Sequence, residues 1–256
     1  LLEEVMAQCL HAEDIGLNSV WVPEHHFGLF GVLPSAPVFL ANVAAKTKRV
    51  KLGPATVLLP VQHPLKVAEE FALLDLLSEG RAQLSVGRGY DAREYIAFGV
   101  DFAESQEIFF EGLEVIKKAW SLETSSHEGL HYSYPEITVL PRPVQQPYPP
   151  IYVACFSEPT LRHAARSGFD VIFAPFAAAM MFGSLQNAVT EFKNESEAAG
   201  HVGRKAMCSY FVNVTSNERE TVETKERLLH YFHGILPAFP ADRATAPPHI
   251  RYFVDI

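Results

Sequence analysis

Three times along the chain a helical stretch runs into a glycine and then at once into a short, unbroken apolar run. "HAEDIGL" leads into "NSVWV", "LLDLLSEGR" into "AQLSVG", and "HAARSGF" into "DVIFAP". A glycine just past a helix supplies the left-handed backbone that stops it. Further runs of the same kind are "VKLGPATVLL", "PPIYVACF" and "AMCSYFVNV", which brings the strand count to six. Runs that are apolar throughout, rather than alternating, belong to strands buried on both faces of a parallel sheet. Six strand–helix units fit either a doubly wound sheet or most of a (β/α)8 TIM barrel, and the barrel is the expected architecture. The chain opens without methionine inside an amphipathic pattern of Leu2, Val5, Met6, Cys9 and Leu10. It closes at "RYFVDI", soon after the loop-like "LPAFPADRATAPPH", so the barrel is expected to be incomplete at both ends.

With 256 residues, 48% of them apolar and 20% charged, the chain can bury one large α/β core, and a single domain over residues 1–256 is expected. The stretch "GLHYSYPEITVLPRPVQQPYPP", rich in Pro and Tyr, reads as a hairpin or extended loop inserted at about 129–150. A formal charge of −9 opposes binding to phosphate backbones and anionic membranes, so neither nucleic acid nor membrane is an expected partner. No apolar run approaches the ~20 residues that span a bilayer, and no basic segment precedes an apolar one at the start; a cytoplasmic protein is expected. Cys9, Cys155 and Cys208 are far apart and odd in number, which reads as buried thiols rather than a disulfide or zinc framework.

Candidate chemistry lies where the apolar runs end, because barrel enzymes carry their active sites at the carboxyl ends of the strands. After the first run comes "WVPEHHFGLFG", with Glu24, His25 and His26 in succession. Adjacent residues in extended chain point to opposite faces, so at most one of the two imidazoles faces the barrel mouth. No HxH spacing is present to aim two of them together, and no metal site is expected. His63, in "QHPLK", reads as the residue before a helix that opens on Pro64. In "LSVGRGY", Gly87 and Gly89 let the backbone turn tightly around Arg88, whose planar fork suits a phosphate; a simple turn accounts for the same letters. In "YVACFSEPTLRHAA" a strand gives way to a helix start at Ser157 to Thr160, which is an ordinary N-cap and also a helix N-terminus suited to an anion. No Walker-type loop and no GxGxxG occurs, so a nucleoside triphosphate or Rossmann-bound dinucleotide is not indicated.

The order "WVPEHHF", then "KLGPATVLLPVQHPLKVAEEFALLDLLSEGRAQLSVGRGYDAREYIAFGV", then "PPIYVACFSEPTLRHAARSGFD", resembles the bacterial luciferase-like flavin-dependent monooxygenases, which are (β/α)8 barrels. The likeness extends over roughly residues 1–217 and implies that the first and last barrel strands are missing. It implies His25 as the active-site histidine beside the reacting face of the flavin. It implies a cis peptide between Ala55 and Thr56 beneath the ring, and a phosphate site formed by Arg88 and Gly89 together with Ala154, Ser157 and Thr160. Gly87 stands where the luciferases proper have a reactive cysteine, so light emission is not implied. The segment from Ala154 to Pro159 is one residue longer than in luciferase, with Glu158 and Pro159 exchanged relative to the "SPE" type.

The resemblance implies reduced FMN, delivered by a separate flavin reductase, reacting with O2 to a C4a-peroxyflavin that oxygenates a small organic substrate such as an aldehyde or ketone. Phe27, Phe30, Leu33 and Phe176 are either lining that excludes water or plain core. Two alternatives remain open: a deazaflavin-dependent hydride-transfer oxidoreductase on the same fold, and a noncatalytic flavin-binding protein. A metal-dependent barrel hydrolase ranks last. The small residues of "PSAPVFLANVAAKTKRV" suit either a homodimer interface or packing on the chain's own barrel.

Overall fold

The structure is a computed structural model and describes residues 1–28 and 33–235. The elements alternate as the apolar runs and glycines require. Helix α1 (Leu2–Asp14) leads to β1 (Ser19–Val22), and α2 (Ala36–Lys46) leads to β2 (Lys51–Pro54) and β3 (Val57–Leu58). Next come α3 (Pro64–Leu77), β4 (Leu84–Gly87), α4 (Ala92–Phe98) and α5 (Ser105–Ser121). A hairpin of β5 (Ser125–Glu128) and β6 (Ser133–Ile137) precedes β7 (Ile151–Cys155). The chain continues through α6 (Glu158–Ser167), β8 (Asp170–Phe173), α7 (Pro175–Phe182), α8 (Leu185–Ala198), β9 (Ala206–Cys208) and α9 (Glu218–Ile235). The described residues form two compact units. One comprises Leu1–Gly89 with Glu94–Tyr152, the other Tyr90–Arg93 with the described residues from Val153 onward.

In the first unit β1 and β2 run parallel, with Trp21 opposite Gly53. A Cβ on Gly53 would stand 2.5 Å from the Trp21 ring, so only glycine lets the indole lie flat on the neighbouring strand. From β2 the backbone pairs onward, Leu52 N–H donating to Arg81 O at 2.9 Å and Gln83 N–H to Leu52 O at 2.8 Å, while β3 and β4 pair in parallel at Val57 and Val86. The four residues of β4 are all buried, as a strand covered on both faces must be. Helices α2, α3 and α5 pack in sequence over fully buried Leu40, Phe71, Leu113 and Trp120, and the Trp120 indole N–H is satisfied by Ala68 O at 3.0 Å.

Two charged side chains fix the turns that lead into these strands. The Arg81 guanidinium donates to Ser78 O, Thr47 Oγ1, Val50 O, Ala44 O and Thr47 O at 2.7–3.1 Å, which occupies the orphan carbonyls at the end of α2 and beyond α3. The Glu13 carboxylate accepts from the N–H groups of Lys48, Arg49 and Val50, and these bonds, Val50's foremost, pull it down to about 2.

In the second unit the strand order is β7, β8, β9, with β8 and β9 parallel and Val171 opposite Ala206. Helix α6 stops at Gly168, whose φ of 76° is left-handed and whose missing Cβ would stand 2.9 Å from the His201 ring. Both conformation and space therefore demand glycine there.

Four expectations are corrected by this architecture. The run "VKLGPATVLL" is not one strand but two, β2 and β3, which flank Ala55 and Thr56. Of "AMCSYFVNV" only Ala206–Cys208 is strand; Tyr210, Phe211, Val212 and Val214 are exposed. The hairpin begins at Ser125, ahead of the expected Gly129, because His127 is anchored to α5 through Glu111 Oε1 at 3.1 Å and Lys118 Nζ at 3.2 Å. Cys9 and Cys155 are buried thiols, whereas Cys208 is exposed. The closing segments "LPAFPADRATAPPH" and "RYFVDI" lie outside the described residues.

Candidate active site

The residues after β1 carry a buried polar network. Pro23 ends the strand, and Glu24 turns inward until only 2% of it is exposed. Its Oε2 accepts from the Ala36 N–H at 3.0 Å, which places a carboxylate at the start of α2, a helix whose N-cap Ser35 makes no side-chain bond. Its Oε1 accepts from Gln62 Nε2 at 2.7 Å and Leu58 N–H at 3.4 Å. Burial pushes this carboxyl up to about 7 against the pull of those three donors. One side chain thus ties the end of β1 to α2, to β3 and to the turn after β3.

His25 and His26 both reach α4, one helical turn apart. The Nδ1 of His25 lies 3.2 Å from Glu94 Oε1, and the same oxygen accepts the His26 backbone N–H at 2.8 Å. Glu94 is completely buried. The His26 ring instead meets Phe98 edge-on at 4.9 Å, and burial lowers its proton affinity while Glu94 opposes that effect. His26 Nε2 and Glu94 Oε2 are buried with no hydrogen-bond partner among the described residues. Phe27 adopts a left-handed φ of 58° and is 63% exposed against Phe98, so it is not core; Leu33 is buried, and Phe30 lies outside the described residues.

The next strand ends supply the other expected positions of this unit. The Ala55–Thr56 peptide is cis, and the Ala55 N–H donates to Val22 O at 2.7 Å. Arg88 follows β4, its guanidinium 5.2 Å from the centroid of the Phe102 ring, a cation–π contact, and no carboxylate pairs with it among the described residues. Gly89 takes a φ of 74°, and a Cβ there would press to 3.0 Å on Leu58. The Tyr95 hydroxyl donates to the Arg88 carbonyl; Tyr95 is 2% exposed and burial pushes it up to about 12. His63 caps α3, its Nδ1 accepting from the Leu65 N–H at 3.3 Å, a structural task that matches its place before Pro64.

In the second unit, Ala154 is the one residue of β7 that is not fully buried. Ser157 is the N-cap of α6; its Oγ lies 2.9 Å from Thr160 Oγ1 and accepts from the Thr160 N–H at 3.5 Å. Pro159 occupies the first turn, where no donor is lost. The remaining N–H groups at that end point along the positive end of the helix dipole.

Glu94, Tyr95 and Phe102 are the residues that the reading of strand ends passes over. All three come from the stretch after Arg88, and two adjacent ones on α4 serve His25 and Arg88 respectively. The available signal was "REY", whose Glu94–Tyr95 pair begins five residues after the glycine that closes the Gly-Arg-Gly turn.

A sequence model of the luciferase-like monooxygenases matches residues 2–251. The chain belongs to that family. The fold is accordingly the luciferase-like (β/α)8 type rather than a doubly wound sheet. The oxygenase component of a flavin-dependent trigonelline monooxygenase from Acinetobacter baylyi is 34% identical over 177 residues, 68% of this chain and 49% of that protein. An F420-dependent glucose-6-phosphate dehydrogenase from Kineococcus radiotolerans is 41% identical over 167 residues, 62% of this chain and 48% of that protein. The crystal structure of the monooxygenase RslO1 from Streptomyces bottropensis superposes with a TM-score of 0.86 at 29% identity, covering 93% of this chain and 73% of that one. The matches span about half the length of the curated relatives. Flavin-dependent monooxygenases and F420-dependent dehydrogenases thus both stand among the relatives.

Proposed function

We propose that the chain is the oxygenase part of a two-component, FMN-dependent monooxygenase that acts on a small organic substrate. The observation that carries this reading is Arg88: a half-buried arginine at a strand end, with no carboxylate to neutralise it among the described residues, on a backbone turn held by Gly89 and Tyr95. An arginine at a strand end without a counter-charge among the described residues fits an anionic group that arrives from outside, and a flavin phosphate supplies one. Ser157, Thr160 and Ala154, at the start of α6 and the end of β7, have the chemistry to receive the same kind of group.

When bound, reduced FMN supplies the electrons that activate O2 for insertion of one oxygen atom into the substrate. The chain's own residues do the rest. Arg88 binds the phosphate and Phe102 keeps its guanidinium in place. Ala55 and Thr56 present backbone at the end of β2, shaped by their cis peptide. His25 exchanges a proton with the reacting atoms, a task to which imidazole is suited near neutral pH. The Acinetobacter relative is an oxygenase component, which supports delivery of reduced flavin by a separate reductase. A homodimer in the cytoplasm remains the expected setting.

A second reading rests on the 41% identity to the F420-dependent dehydrogenase: hydride transfer from a deazaflavin, which carries a phosphate that Arg88 could equally hold. Anaerobic titration of the full chain with reduced FMN and with reduced F420, followed by admission of O2, separates the two. The proposed function predicts saturable binding of reduced FMN and no oxidation of NADH by the chain alone; binding of F420 only, or NADH oxidation without a reductase, contradicts it.

A further inference from the structure

We infer that Glu94 is a positioning residue that fixes the tautomer of His25, holding the ring proton on Nδ1 so that Nε2 presents its lone pair for proton exchange. The inference rests on the role proposed for His25 and deepens it. Three observations carry it. First, Glu94 Oε1 already takes the His26 N–H at 2.8 Å, and as a carboxylate oxygen it can only accept, which makes the imidazole nitrogen 3.2 Å away the donor. The hydrogen bond made by one ring nitrogen decides which of the two bears the proton, and a free histidine side chain favours the opposite choice, with the proton on Nε2.

Second, Glu94 is completely buried, while its other oxygen, Oε2, has no partner among the described residues. A carboxylate with idle acceptor capacity is a costly way to hold one backbone N–H, which a neutral hydroxyl or amide would satisfy. The cost is accounted for when the carboxylate also faces a ring that becomes cationic. As Nε2 takes up a proton the imidazole gains one positive charge, Glu94 balances it across the Nδ1–H bond, and return of the proton from Nε2 restores the neutral ring. Third, the helix that carries Glu94 is itself anchored, because the next residue, Tyr95, donates to the Arg88 carbonyl. The ring is therefore oriented from the same backbone that shapes the Arg88 turn.

The test is a long-range 1H–15N correlation spectrum of the histidine rings in the full chain, recorded where the rings are neutral, with the His25 signals assigned by their loss in His25→Ala. The wild type and Glu94→Gln, whose amide oxygen can accept the same bond, are expected to show Nδ1 protonated. Glu94→Ala is expected to shift the population to Nε2-protonated, with at least a tenfold change in the tautomer ratio. A wild-type ring protonated on Nε2, or a Glu94→Ala ring still protonated on Nδ1, overturns the assignment. Should Glu94→Ala not fold, the wild-type spectrum decides alone. Reduced FMN titrated into the same samples keeps the two levels apart: absence of FMN binding defeats the proposed function while leaving the tautomer result standing, and normal FMN binding with the wrong tautomer defeats this inference only.

Discussion

Glu24 shows how a single buried carboxylate can make the stability of a barrel opening depend on pH. It receives three donors, yet its burial dominates and raises its proton affinity from 4.5 to about 7. A carboxyl raised in the folded state binds its proton more tightly folded than unfolded, so its contribution is fully present below about pH 4.5 and is lost as pH rises towards about 7. Glu24→Gln removes that titration. Urea unfolding between pH 5 and 8 should show the wild type losing up to roughly 3 kcal/mol relative to Glu24→Gln; parallel curves would mean that the three donors win over burial. The Glu24–His25–His26 cluster stands out in the sequence by its place after a strand end, and the choice of His25 within it comes from the family resemblance, whereas Glu94 does not stand out. Its distance of 69 residues along the chain from His25 leaves no local pattern, and a glutamate on a helix reads as a solvated face until the fold buries it.

Elements were legible where backbone chemistry is local. The glycine stops after α1, α3 and α6 all take positive φ, at Gly16, Gly80 and Gly168, and Ser157 and His63 cap the helices that follow them. Boundaries set by long-range contacts were not: the division of "VKLGPATVLL" into β2 and β3 depends on which neighbours each half meets, Val20 to Val22 for one and Val86 to Gly87 for the other. Arg81 ties helix ends together with five donated bonds, four to backbone carbonyls and one to the Thr47 hydroxyl. Arg81→Met keeps the stem and strands those acceptors, and thermal or urea unfolding should register a loss of roughly 2–4 kcal/mol; a loss below about 0.5 kcal/mol would show that water replaces the guanidinium freely. Tyr95→Phe removes only the hydroxyl that steadies the Arg88 carbonyl. It should lower stability by about 1 kcal/mol and weaken FMN binding, and unaltered FMN affinity would detach α4 from the phosphate turn.

At the scale of the whole molecule, the alternation of apolar runs and capped helices made the fold class readable, because a parallel α/β fold imposes it on every unit. The relatives include a flavin-dependent monooxygenase component and an F420-dependent dehydrogenase, so the proposed chemistry of this chain is argued from the side chains at its strand ends. The function proposed here has Arg88 hold a phosphate and His25 move a proton. The most direct measurement compares equilibrium binding of reduced FMN and reduced riboflavin, which differ by that phosphate alone, in the wild type and in Arg88→Ala. The wild type is expected to bind FMN at least tenfold more tightly than riboflavin, a difference of about 1.4 kcal/mol, and Arg88→Ala to abolish the preference. Equal affinity for the two in the wild type, or a preference that survives removal of the guanidinium, would contradict the assignment.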